Sequence, residues 1–176
     1  IVIWLIIIAN IILGIIVFAK KPSSRSNVYF SLLALFLSLW AICIFLEDVA
    51  PNENLSLILT KADFGFGLMA AVFFLLFSLN FPEISKKFLS RDIYILIAGL
   101  FLSIFAASDF VVKKVSLIKQ GVVLETGSLF FLYSLLVLVI IAFGVIVLLR
   151  RLKKSARIKR KQIFFVLTGI TLVAIF

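Results

Sequence analysis

The stretch Leu57–Phe81, LILTKADFGFGLMAAVFFLLFSLNF, decides how this chain folds. It carries only two ionisable groups, Lys61 and Asp63, and no proline. A helix rises about 1.5 Å per residue, so a run of this length crosses the roughly 30 Å hydrocarbon core of a bilayer. Working outward, Ile1–Ala19 and Val28–Leu46 precede it, and Ile93–Ala107, Leu129–Leu149 and Ile163–Phe176 follow it as further apolar runs. Hydrophobic residues make up 64% of the 176, and mean hydropathy is +1.30. No water-soluble core absorbs that much apolar surface. The pattern predicts an all-α polytopic membrane bundle, a single domain over residues 1–176. Its spans lie near 1–19, 28–46, 57–81, 93–110, 129–149 and 163–176.

The charges sit in the loops. A net charge of +10 suggests nucleic acid until the positions are read, because eight of the 18 Lys and Arg fall in one short loop, Arg150–Lys161. A cluster squeezed between apolar runs is drawn to anionic lipid head groups and sets topology, so no nucleic-acid partner is expected. Counted along the chain, the odd-numbered loops hold 14 basic residues and the even-numbered loops three. Positive charge marks the cytoplasmic side, which predicts an extracytoplasmic amino terminus. Tyr29, Trp4 and Tyr94 lie near span ends, where amphipathic rings favour the interface.

The fourth loop stands apart. Val111–Ile118 and Val122–Thr126 are rich in β-branched residues around Lys119-Gln120-Gly121, which predicts a β-hairpin lying over the outer helix ends. An irregular loop is the alternative reading.

One cysteine, Cys43, and no histidine leave no disulfide and no His- or Cys-based metal site. No phosphate-binding glycine loop, nucleophile with base, or paired carboxylates at catalytic spacing occur, so neither cofactor nor catalysis is expected of this segment. The chain starts at Ile1 rather than methionine and its last run is 14 residues long, so both ends read as truncation points.

An ionisable group at membrane depth is a functional candidate. Asp63 is the seventh residue of its run, roughly 10 Å below the start of the helix. Two readings stand: a residue facing an outer pocket, or an acid at the start of a helix that begins near Ala62, where the dipole favours it. Gly65 and Gly67 would permit close helix contact. Glu47 and Asp48 end the second run on the same side, and Trp40 lies deeper in that run. Asp63, Trp40, Glu47 and Asp48 are the candidate ligand-binding residues.

Several local patterns, taken together, resemble the amino-terminal seven-helix membrane region of bacterial sensor histidine kinases. The second run, Asn27-Val28-Tyr29-Phe30-Ser31 to Ser38-Leu39-Trp40-Ala41, ends in Glu47-Asp48 and is similar to that family's helix with a tryptophan followed by an outer acid. Phe77-Ser78-Leu79-Asn80-Phe81-Pro82-Glu83 resembles its phenylalanine-rich segment closed by proline. Gly127-Ser128-Leu129-Phe130-Phe131-Leu132-Tyr133 resembles its glycine and aromatic approach to the fifth helix, and Arg160-Lys161-Gln162 its basic lead into the sixth. The resemblance implies a sensory domain in the bacterial cytoplasmic membrane, answering an unidentified small-molecule or membrane stimulus. It further implies a cytoplasmic output module, through which the protein would form a homodimer. That module is a kinase or, in related regions, a diguanylate cyclase. A transporter or channel fragment is the competing class, but Pro22, Pro51 and Pro82 all lie in loops and the halves show no repeat.

Overall fold

The computed structural model describes residues 2–82, 90–118, 121–154, 160–161, 163–164 and 167. The chain folds as α1 (Val2–Lys20), α2 (Arg25–Asp48), α3 (Glu53–Asn80), α4 (Ser90–Ala106), β1 (Val112–Ile118), β2 (Gly121–Thr126) and α5 (Phe130–Lys154). Four of these helices, α1, α2, α3 and α5, are long and apolar enough to cross a membrane. The fourth helix gains its length at its start, from Ser90, while residues 107–110 form turns. Most of the sixth apolar run lies outside the described residues.

The third run is the centre of the bundle. Over half of its most apolar window, 56%, is buried, against 11% for α1 and for α5. Helices α2, α4 and α5 all pack on it, and α1 packs on α2. Two neighbours reach it through glycine. A Cβ on Gly99 of α4 would come within 2.8 Å of the Val72 side chain, and one on Gly144 of α5 within 2.7 Å of the Phe74 ring. In lipid, helices gain nothing by hiding apolar surface from one another, so close backbone approach and dense packing hold them together. Phe73, Phe74 and Phe77 are buried in this packing, Phe36 lying 5.1 Å from Phe73 and Phe30 5.6 Å from Phe77, ring centre to ring centre. The outward faces of α1, α4 and α5 are studded with exposed Ile, Leu and Phe. Such surface suits acyl chains and would aggregate in water.

Asn52 starts α3, its side-chain oxygen accepting from the Leu55 N–H at 2.9 Å, with Glu53 in the first turn. That cap removes one reading of Asp63. The helix begins ten residues before it, about 15 Å away, so Asp63 neither caps the helix nor meets the positive end of its dipole.

The predicted hairpin is present. β1 and β2 pair antiparallel, with Leu117 opposite Val122 and Ile118 opposite Gly121, and the register slips between Val112 and Lys114. Lys119 and Gln120 of the expected turn lie outside the described residues. An isolated hairpin is marginal, and this one gains a core by laying Val111, Val112 and Val115 on Leu57, Phe64, Phe130 and Tyr133. Its base closes through Gly127 N–H to Val111 O and Leu129 N–H to Phe110 O, each 2.9 Å. A Cβ on Gly127 would stand 2.2 Å from the Phe110 carbonyl oxygen, so only glycine fits there.

Candidate functional site

The bundle has an acidic end, where α2 turns into α3 under the hairpin, and a basic end, where α1 turns into α2 and α3 runs toward α4. Each holds one aspartate inside the helices.

At the acidic end, Ser56, Thr60, Asp63 and Gly67 recur every three to four residues and so share one face of α3. Opposite them run Trp40, Cys43 and Glu47 of α2. The Trp40 indole nitrogen would be 3.4 Å from a Cβ on Gly67, and the same indole N–H lies beside the Asp63 carboxyl. Glu47 lies against Thr60, whose hydroxyl donates to the Ser56 carbonyl at 2.8 Å. The fold thus brings Asp63, Trp40 and Glu47 into one seam; Asp48 is exposed at the end of α2. Asp63 Oδ1 and Ser56 Oγ are both buried without a hydrogen-bond partner. Lys61 faces elsewhere and pairs with Asp109 beyond α4. Close by, the Tyr133 hydroxyl donates to the Phe64 carbonyl at 2.8 Å and ties α5 to α3.

The basic end is built in the opposite way. Asp92, fully buried at the start of α4, accepts from Arg25 at 3.1 Å and from the Tyr29 hydroxyl at 3.1 Å through one oxygen. Its other oxygen accepts from Arg91 at 3.2 Å. The last carbonyls of α3, which have no partner within the helix, are taken from both sides. Ser26 of α2 donates to Asn80 O at 3.0 Å, and Arg151 of α5 donates to Leu79 O at 2.7 Å and Phe81 O at 2.6 Å. A cation at this position also meets the negative end of the α3 dipole. Four helices are therefore tied together by side chains that recognise backbone or one carboxylate. Tyr29 is a core residue, 1% exposed, and not the interfacial aromatic that its place near a span end suggested. Buried Asp92 draws its hydroxyl inward. The Asn80 side chain bonds Leu76 O of its own helix rather than a neighbour.

The sequence matches the N-terminal 7TM region of histidine kinase over residues 2–176. The chain belongs to this family. No curated protein and no solved structure matches it. Membership in the histidine kinase 7TM region accounts for the spanning helices and identifies a sensory membrane region rather than a catalytic one. Among the described residues there is no group of His, Cys, Asp and Glu able to hold a metal ion. Of the four residues singled out in the sequence, Asp63, Trp40 and Glu47 lie close together and Asp48 does not join them, while the basic knot was not expected. In the sequence, Arg25, Arg91 and Arg151 are simply three of the 14 basic residues of the odd-numbered loops, and Asp92 directly precedes the fourth apolar run. One signal was available: apart from Glu83, Asp92 is the only acid in the odd-numbered, basic loops.

Proposed function

We propose that this 7TM region is the receiving and transmitting section of a bacterial sensor histidine kinase in the cytoplasmic membrane. Its acidic end faces outward, and a kinase or cyclase output module is joined on the cytoplasmic side, through which the protein dimerises. The stimulus, a small molecule or a change in the membrane, acts at the seam of Asp63, Trp40 and Glu47, with Asp48 at its rim. One observation carries this reading: a carboxyl oxygen of Asp63 is buried three turns into α3 with no partner. A buried, unsatisfied carboxylate is costly, and a state of the bundle that satisfies it is favoured over one that does not. A stimulus that binds those two arrangements unequally shifts the balance between them. Movement of α3 then reaches the basic end through carbonyls held by α2 and α5. The clustered charge of residues 150–161 rests against anionic lipid on the cytoplasmic face, although Arg151 itself turns inward to α3.

Asp63→Asn in the full-length protein tests the seam, since it keeps the shape and removes the charge. Stimulus-dependent output is expected to fall while membrane expression holds; unchanged output removes Asp63 from the mechanism. Orientation is tested by cysteine labelling at Ser23 and Asn52 in a Cys43→Ser background. Position 52 is expected to label from outside intact cells and position 23 only after permeabilisation.

A further inference from the structure

A groove of about 340 Å³ runs between α1 and α2, lined by Ile11, Gly14, Ile15 and Phe18 on one side and by Val28 and Leu35 on the other. We propose that it is a binding site for one anionic phospholipid, with an acyl chain in the groove and the phosphate at Lys20 and Lys21. This site is separate from the 150–161 loop and does not depend on which face of the membrane the basic end occupies.

Three observations support the assignment. The groove is fixed in shape by the helix pair. Ser31 donates to the Gly14 carbonyl at 2.8 Å and Asn27 to the Val17 carbonyl at 2.9 Å, so α2 side chains clamp the α1 backbone. Gly14 lets the helices meet closely, since a Cβ there would be 3.2 Å from that of Ala34. The length also matches. From Asn10 to Ala19, the α1 residues along the groove, the helix rises about 14 Å, which is close to half of a hydrocarbon core of roughly 30 Å. One acyl chain in one leaflet therefore fills it from the head-group level to the midplane. Finally, the charge is at the right end. Lys20 closes α1 two residues after Phe18, Lys21 begins the turn, both are exposed, and no acid lies in residues 20–27. Arg25 of the same turn is committed to Asp92, so the two lysines carry the recognition of phosphate. A zwitterionic lipid would fill the groove but bring no net charge to them.

The test uses the full-length protein reconstituted with phosphatidylglycerol or phosphatidylcholine bearing the same diazirine-labelled acyl chain, followed by peptide mapping. Phosphatidylglycerol is expected to label residues 10–35 in preference to phosphatidylcholine. Each basic residue near a charged surface is worth roughly a fivefold factor, so two give about 25-fold. Lys20→Gln with Lys21→Gln is expected to bring phosphatidylglycerol labelling down to the phosphatidylcholine level. Ile15→Trp, which fills the groove from an exposed position, is expected to suppress labelling by both. Equal labelling of wild type by the two lipids overturns the proposal, as does labelling confined to residues 150–161 or insensitive to Ile15→Trp. Should the double lysine variant fail to insert, the wild-type lipid comparison and Ile15→Trp still decide it.

Discussion

Asp63 and Asp92 are both aspartates within helices of one membrane bundle, and their surroundings could hardly differ more. Asp92 has an oxygen shared by Arg25 and Tyr29 and another held by Arg91. Asp63 has an oxygen with no partner at all. A fully hydrogen-bonded buried charge resists any movement that would separate it from its donors. One with an oxygen left unpaired gains from a movement that brings a donor to it. The basic end thus holds its aspartate on every side while the acidic end leaves one carboxyl oxygen unsatisfied, and the same residue type sits in both because its neighbours differ.

The contrast can be broken by substitution, and the largest effect is expected at Asp92. Arg25→Ala should cost up to about 3–5 kcal/mol, because it removes the buried one of the two cations on the Asp92 carboxylate and leaves only the half-exposed Arg91. Unfolding of the reconstituted protein in denaturing detergent measures this. A loss below about 1 kcal/mol would show that the pair adds nothing to rigidity. Arg151→Gln comes next, at about 1.5–3 kcal/mol from charged hydrogen bonds to the α3 carbonyls, and should loosen α5 from α3 in hydrogen exchange. Gly144→Ala should cost about 1–3 kcal/mol by driving a methyl group into the Phe74 ring. Asp63→Asn should be the mildest, with no loss of stability in the same assay, since it removes a charge that nothing at that carboxyl oxygen compensates. If Asp63→Asn destabilised the fold as much as Arg25→Ala, the two ends would not differ in kind.

The spanning helices and the hairpin were legible because both are encoded locally. A run such as Leu57–Phe81 has only one way to satisfy its backbone in lipid, and β-branched residues around a glycine turn need no distant information. Asp63 was legible as an anomaly, a charge where charges are costly. Its two readings were separated only by the cap at Asn52, which sets where the helix starts. The pairing within the Arg25–Tyr29–Asp92 cluster was not legible, because Asp92 lies 67 and 63 residues from Arg25 and Tyr29 and its isolation among basic loops names no partner. Near a span end, a basic residue that faces head groups and one that faces a buried acid look alike in the sequence. Only tertiary packing distinguishes them.

The carbonyls that end α3 have consequences for the order in which this protein is made. They receive their donors from Ser26, already synthesised, and from Arg151, which is 70 residues beyond Phe81 and 72 beyond Leu79. A growing chain that has released α3 into the membrane, but not yet α5, holds a helix whose last turn is half finished. Docking of α5 completes it from a distance. Until then water can hold those carbonyls, and the arrival of Arg151 is what ties α5 to the other three helices at this end.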